Sequence, residues 1–159
     1  RTAAIRALSQ WPTGEPVRDM LKVAKSSENQ LHRILSLRGF VALLGLPSER
    51  SAKETVGLYG EAMKLAPNVI EKRRVLGGLM SAASLESLAM ASEYVKDETL
   101  FREAEVAVVR IAEAIAQEHP EKAKDALNGI IQSTKSDATK EQAQDVLDAM
   151  DKKPDAPEQ

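Results

Sequence analysis

The stretch PVRDMLKVAKSSENQLHRILSLRGFVAL, residues 16–43, decides the fold. Two runs with helical periodicity, expected at 15–26 and 30–45, flank the polar break Ser26-Ser27-Glu28-Asn29. Such runs carry an apolar stripe on one side, and a stripe has to be covered by a neighbour. The second run opens on a basic residue, Arg33, and then places Leu37, Phe40 and Leu43 on one side of the helix. SLESLAMASEYVKDETLFREAEVAVVRIA, residues 84–112, repeats that order: a helix, a break, a basic Arg102, then Val106, Val109 and Ala112.

Working outward from these two copies, nearly every segment reads as helix, with further helices expected at 1–11, 49–66, 69–83, 85–97, 99–117, 121–133 and 138–150. The breaks carry turn chemistry. Pro12, Pro16, Pro47, Pro67 and Pro120 all fall in or beside them, where a missing N–H does least harm. Ser48, Ser84 and Ser133 are the expected capping or turn residues. Residues 151–159, DKKPDAPEQ, have no apolar anchor and read as a disordered tail or linker after a domain at 1–150.

Composition agrees with an all-α chain. The 159 residues are 43% hydrophobic but only 3% aromatic, so the core is built from Leu, Ala, Val, Ile and Met, an alphabet that favours helices. A formal charge of -2 argues against a general binder of nucleic acid or anionic membrane. The absence of cysteine removes disulfide frameworks, thiolate catalysis and Cys-based zinc sites. No apolar run approaches the ~20 residues needed to span a bilayer. The chain begins with Arg1 rather than Met and reads as an excised piece, which leaves its compartment open.

The basic-to-apolar spacing recurs five times. Arg1 leads to Leu8, Arg33 to Phe40, Lys72 to Leu79, Arg102 to Val109 and Lys140 to Leu147, at intervals of roughly 30–40 residues, about one helix pair each. With this pattern the chain resembles HEAT-like, or armadillo-like, repeats over residues 1–150. The resemblance implies an α-α superhelix, a right-handed solenoid of about four to five helix pairs. It further implies that the second helix of each pair lines an inner, concave surface. A tetratricopeptide reading fits the repeat length, but its Trp, Gly and Tyr positions do not recur at regular intervals.

Helical geometry sorts the columns of that alignment. Ile5, Leu37, Leu76 and Val106, with the anchors and with Trp11, Leu43 and Met150, form the expected buried stripe. Beside it runs a column of mostly small residues, Ala7, Gly39 and Gly78, then Val108 and Val146. In EKRRVLGGLMS, residues 71–81, Gly78 is therefore a packing glycine. Gly77 shares its column with Arg6, Arg38, Ala107 and Asp145 and faces away from the core. A phosphate loop is disfavoured there, because helix continues on both sides and leaves no free N–H groups.

The candidate binding residues are Arg6, Arg38, Arg73, Arg74 and Arg110, expected as a basic stripe on the outward side of successive second helices that receives an acidic partner segment. The leading basic column, Arg1, Arg33, Lys72, Arg102 and Lys140, points inward instead and needs partners, with Glu28 and Asp97 expected for Arg33 and Arg102. His32 and His119 are expected as exposed helix-end residues with no metal, Glu103/Glu105 and Asp148/Asp151 as solvated acidic pairs, and Trp11 as a core-edge residue with a bonded indole N–H. No Gly-x-Ser-x-Gly elbow, phosphate loop or HExxH motif is present. The chain thus reads as a non-catalytic protein-interaction scaffold with no cofactor and no membrane insertion. Its partner is a separate protein or a neighbouring domain of the same chain. The alternative, implied by resemblance alone, is an accessory domain of a larger enzyme, of the exported, carbohydrate-active bacterial kind. A helical-repeat DNA glycosylase is a third class, from which the acidic balance and scarce aromatics depart.

Overall fold

The computed structural model describes residues 1–152. Among these the chain is all-helical, with nine α-helices, one short 3-10 turn and no strand. The helices are α1 Thr2–Ser9, α2 Val17–Ser26, α3 Gln30–Leu44, α4 Ala52–Leu65, α5 Val69–Leu79, α6 Leu85–Glu93, α7 Phe101–Ile115, α8 Pro120–Ser133 and α9 Asp137–Asp151. Each expected helix is present. Some ends differ: α5 tightens into a 3-10 turn at Met80–Ala82, and α6 stops before Tyr94. The expected tail lies outside the described residues from position 153 onward. Its first residue, Asp151, instead closes α9 and accepts from Lys124 Nζ of α8 at 2.7 Å.

Side-chain caps start five helices. Asn29, Ser51, Asn68, Ser84 and Ser136 accept from the backbone N–H three residues on, which satisfies one orphan donor in each first turn. Ser84 forms a reciprocal capping box with Ser87. The other two expected serines do different work. Ser48 accepts from Arg50 N in the turn before α4, and Ser133 lies inside α8, donating to the Gly129 carbonyl at 2.8 Å.

Helices adjacent in sequence pack on one another, α2 and α4 on α3, α4 on α5, α6 and α8 on α7, and α8 on α9; the odd-numbered helices also touch in sequence, α1 to α3 to α5 to α7 to α9. Helix α3 is enclosed by α1, α2, α4 and α5, and Leu37, Phe40, Val41, Leu43 and Leu44 are accordingly buried around most of its girth. One continuous core follows, with Phe40, Leu79, Val109 and Leu147 buried and Leu8 packed partly against it. Each such side chain contributes about 1.5–3 kcal/mol by leaving water. On the other side of the molecule α4 and α6 pack together, whereas α6 and α8 do not close on each other in that way.

The two glycines of α5 behave as their columns require. A methyl at Gly78 would lie 2.6 Å from Val41 Cγ1 and 3.2 Å from Tyr59 Cε1, whereas one at Gly77 would meet nothing within 4 Å. Gly39 is as tight, with Met20 and Ser9 side chains against it.

In α7 the expected register is wrong by one residue. Val106, expected in the buried stripe, is 37% exposed, and Ala107, expected outward, is fully buried together with Ala104 and Val108. Aligning α7 on Phe101 rather than Arg102 restores the pattern: Ala107 joins Gly39 and Gly78 in the small column, and Val106 joins Arg38 and Gly77 outside. An apolar residue opens this helix, so a basic marker misleads.

Candidate interaction surface

The outward side of the odd helices presents Arg6, Arg38, Gly77 and Val106, all exposed. The structure brings two of the five candidate arginines together and separates the others. Arg38 of α3 grips Glu71 of α5, with Nε 3.1 Å from both carboxylate oxygens and Nη2 2.5 Å from Oε1. Arg74, one turn along α5, approaches the same carboxylate at 3.5 Å. Arg73 reaches the other way, to Glu103 of α7 at 3.3 Å and to the Thr99 carbonyl at 3.0 Å. Arg110 pairs along its own helix with Glu113, and Arg6 has no carboxylate partner among the described residues. The arginines at α3 and α5 therefore cross-link consecutive odd helices.

Glu71 is the residue that pattern reading missed. It stands at the third position of α5, where a Glu after an Asn cap usually turns back to the cap. Asn68 does accept from Glu71 N, at 3.0 Å, yet the Glu71 carboxylate is taken by Arg38 and is only 2% exposed. The Arg38 hydrogen bonds hold its carboxyl below the usual range against the opposing effect of burial, with the charges of Arg38 and Arg74 assisting. The Arg38 guanidinium is raised in turn by Glu71.

A depressed folded-state carboxyl stabilises the fold above its ordinary value, about 4.3 for Glu, and that contribution disappears as pH falls through the folded value. Glu71→Gln is therefore expected to cost about 1 kcal/mol near pH 7, discounted because Arg38 is half-exposed. The gap from the native chain should close as pH falls below about 4. Urea melts of both chains across pH 3 to 7 measure it; a gap that stays constant with pH contradicts the assignment.

Between α3 and α5 lies an open groove of about 510 Å³, lined by Arg38, Val41 and Ala42 on one side and Ile70, Arg74, Gly77 and Gly78 on the other. Ile70 is 66% exposed. Two guanidiniums share one carboxylate there, so the groove keeps an excess of positive charge beside an uncovered aliphatic side chain.

The remaining candidates fall elsewhere. Arg33 and Arg102 are exposed and do not take the expected Glu28 and Asp97. Arg33 donates to the Ser27 carbonyl at 2.8 Å, and Arg102 lies 5.7 Å above the Phe101 ring. Asp97 is already engaged, accepting from Thr99 and Leu100 ahead of α7. His32 is half-buried rather than exposed, its Nε2 3.0 Å from Thr2 Oγ1. Trp11 is 44% exposed, so it is no core-edge residue, although its indole N–H does donate to Glu15 at 3.2 Å. Glu105, expected in solvent, is buried. No group of three His, Asp or Glu side chains spaced for a metal occurs among the described residues, and none of their helices is long and apolar enough to cross a membrane.

The chain matches no family model, and neither a curated protein nor a solved structure matches it.

Proposed function

We propose that this chain is a non-catalytic protein-interaction module, a HEAT-like right-handed solenoid whose odd helices line the inner surface and receive a partner segment. Serial contact of α1, α3, α5, α7 and α9 supports the architecture, because stacked helix pairs bury one seam and leave one helix side of each pair facing out. The observation that carries the functional reading is the α3/α5 groove. Exposed Ile70 offers an apolar foothold, the bared backbone at Gly77 allows close approach, and the Arg38–Glu71–Arg74 cluster keeps one unit of uncompensated positive charge. An extended segment with an apolar residue flanked by Asp or Glu complements all three features.

Gly77→Glu tests this without endangering the fold, because an added side chain meets no neighbour and glutamate is a better helix former than glycine. A library of short random peptides selected on the native chain should yield acidic sequences with an aliphatic centre. They should bind Gly77→Glu at least tenfold more weakly and weaken with added salt. Selected peptides with no acidic bias, or ones that bind both chains equally, would remove the groove from consideration.

A further inference from the structure

A second concavity, chemically unlike the first, opens where α6 and α8 fail to close over α7. It encloses about 680 Å³, within the span of small-molecule sites, and draws its apolar walls from Val95, Phe101, Val108, Ala126 and Ile130. Of the five charged residues in this lining, Lys96, Asp97, Glu98, Glu105 and Lys135, Glu105 alone is buried. Glu105 of α7 is 4% exposed; Thr134 Oγ1 donates to its Oε2 at 2.9 Å. Its other oxygen has no donor among the described residues, and no cationic nitrogen lies within 4.0 Å of either. That free oxygen stays open to solvent in the cleft, and with no cation beside it the carboxylate is placed to accept one. At the rim Lys96 and Lys135 are offset by Asp97 and Glu98, so the interior carboxylate decides the sign of the cleft.

We propose that this cleft binds a small apolar molecule bearing an ammonium group, its hydrocarbon body lying against Phe101, Val108 and Ile130 and its N–H donors on Glu105. The apolar walls give affinity for the body, and the half-satisfied carboxylate selects amines over neutral or acidic molecules of the same shape. Nothing in this site depends on the α3/α5 groove, which is built from other helices.

Hexylammonium is the probe, with hexanol and hexanoate as its neutral and anionic twins, and binding is read from backbone amide shifts of labelled protein. Hexylammonium should bind at least tenfold more tightly than hexanol and shift residues of α7 and α8, while hexanoate should not bind. Glu105→Gln keeps an acceptor for Thr134 and should bring hexylammonium down to the level of hexanol, with dispersed spectra showing that the variant is folded. Gly129→Phe fills the cleft from α8, where an added Cβ meets nothing within 4 Å, and should abolish binding of both molecules. Equal binding of the three twins, undiminished hexylammonium binding by Glu105→Gln, or no binding by any twin would overturn the proposal.

Discussion

Tyr59→Ala is expected to lower the unfolding free energy by about 3–5 kcal/mol, the usual cost of emptying a fully buried aromatic site. Tyr59 is completely buried on α4 and sits where α3, α4 and α5 meet: its ring lies against Gly78, and its hydroxyl donates to the Gly78 carbonyl at 2.8 Å. Burial pushes the phenol up to about 12, so the hydroxyl keeps its proton and its donor role throughout the working pH range. Removing the ring opens a cavity that three helices border, and packed helices relax only partly into such space. Urea denaturation followed by circular dichroism measures the loss. Tyr59→Phe separates the two contributions, since it removes only the hydrogen bond and should cost about 1 kcal/mol. A loss for Tyr59→Ala no larger than that for Tyr59→Phe would mean that the ring is not the keystone of this junction.

Substituting alanine at the two adjacent glycines of α5 should give opposite results. Gly77→Ala is expected to raise stability by about 0.5–1 kcal/mol, because the methyl enters open space and the helix gains propensity. Gly78→Ala gains the same propensity, but its methyl would be driven into Val41 Cγ1 at 2.6 Å and the Tyr59 ring at 3.2 Å. Valine is held in one rotamer on a helix and cannot swing aside, so α3 and α5 must separate. Overpacking of that kind costs about 1–3 kcal/mol, and the expected net loss is about 1–2 kcal/mol. The same melts report both, and the two variants should differ by about 1.5–3 kcal/mol. Equal effects would mean that α3 and α5 do not approach at Gly78.

The all-α character and the nine helices of the described residues were legible because both rest on local signals. Prolines and polar breaks interrupt the helices, and apolar periodicity within each run survives whatever packs against it. Gly39 and Gly78 were legible as packing residues because a column of small residues beside a stripe has one common use. The α7 register was not: Ala104, Ala107 and Ala112 are as small as surface residues can be and give the stripe weak contrast, so alignment on Arg102 was off by one. Trp11 and His32 were misplaced because exposure at a helix end depends on what chain crosses it, which no local window contains.

The candidate site was half legible. The arginines stand on the outward side of the odd helices as expected, yet their partners are set by helices that sequence distance hides. Glu71 lies 33 residues from Arg38, and Glu105 lies 29 from Thr134. An acidic residue on a helix carries the same local signature whether it meets water, an arginine or an apolar wall.

The sequence by itself determined where the chain is helical, where it turns, and which side of most helices seeks cover, since those depend on neighbours within a turn or two. Tertiary structure alone decided which carboxylates leave water, which arginines they hold and where α6 and α8 leave a cleft. Those outcomes follow from the distances between helices, and charge interactions and desolvation change steeply over a few ångströms that no spacing along the chain specifies.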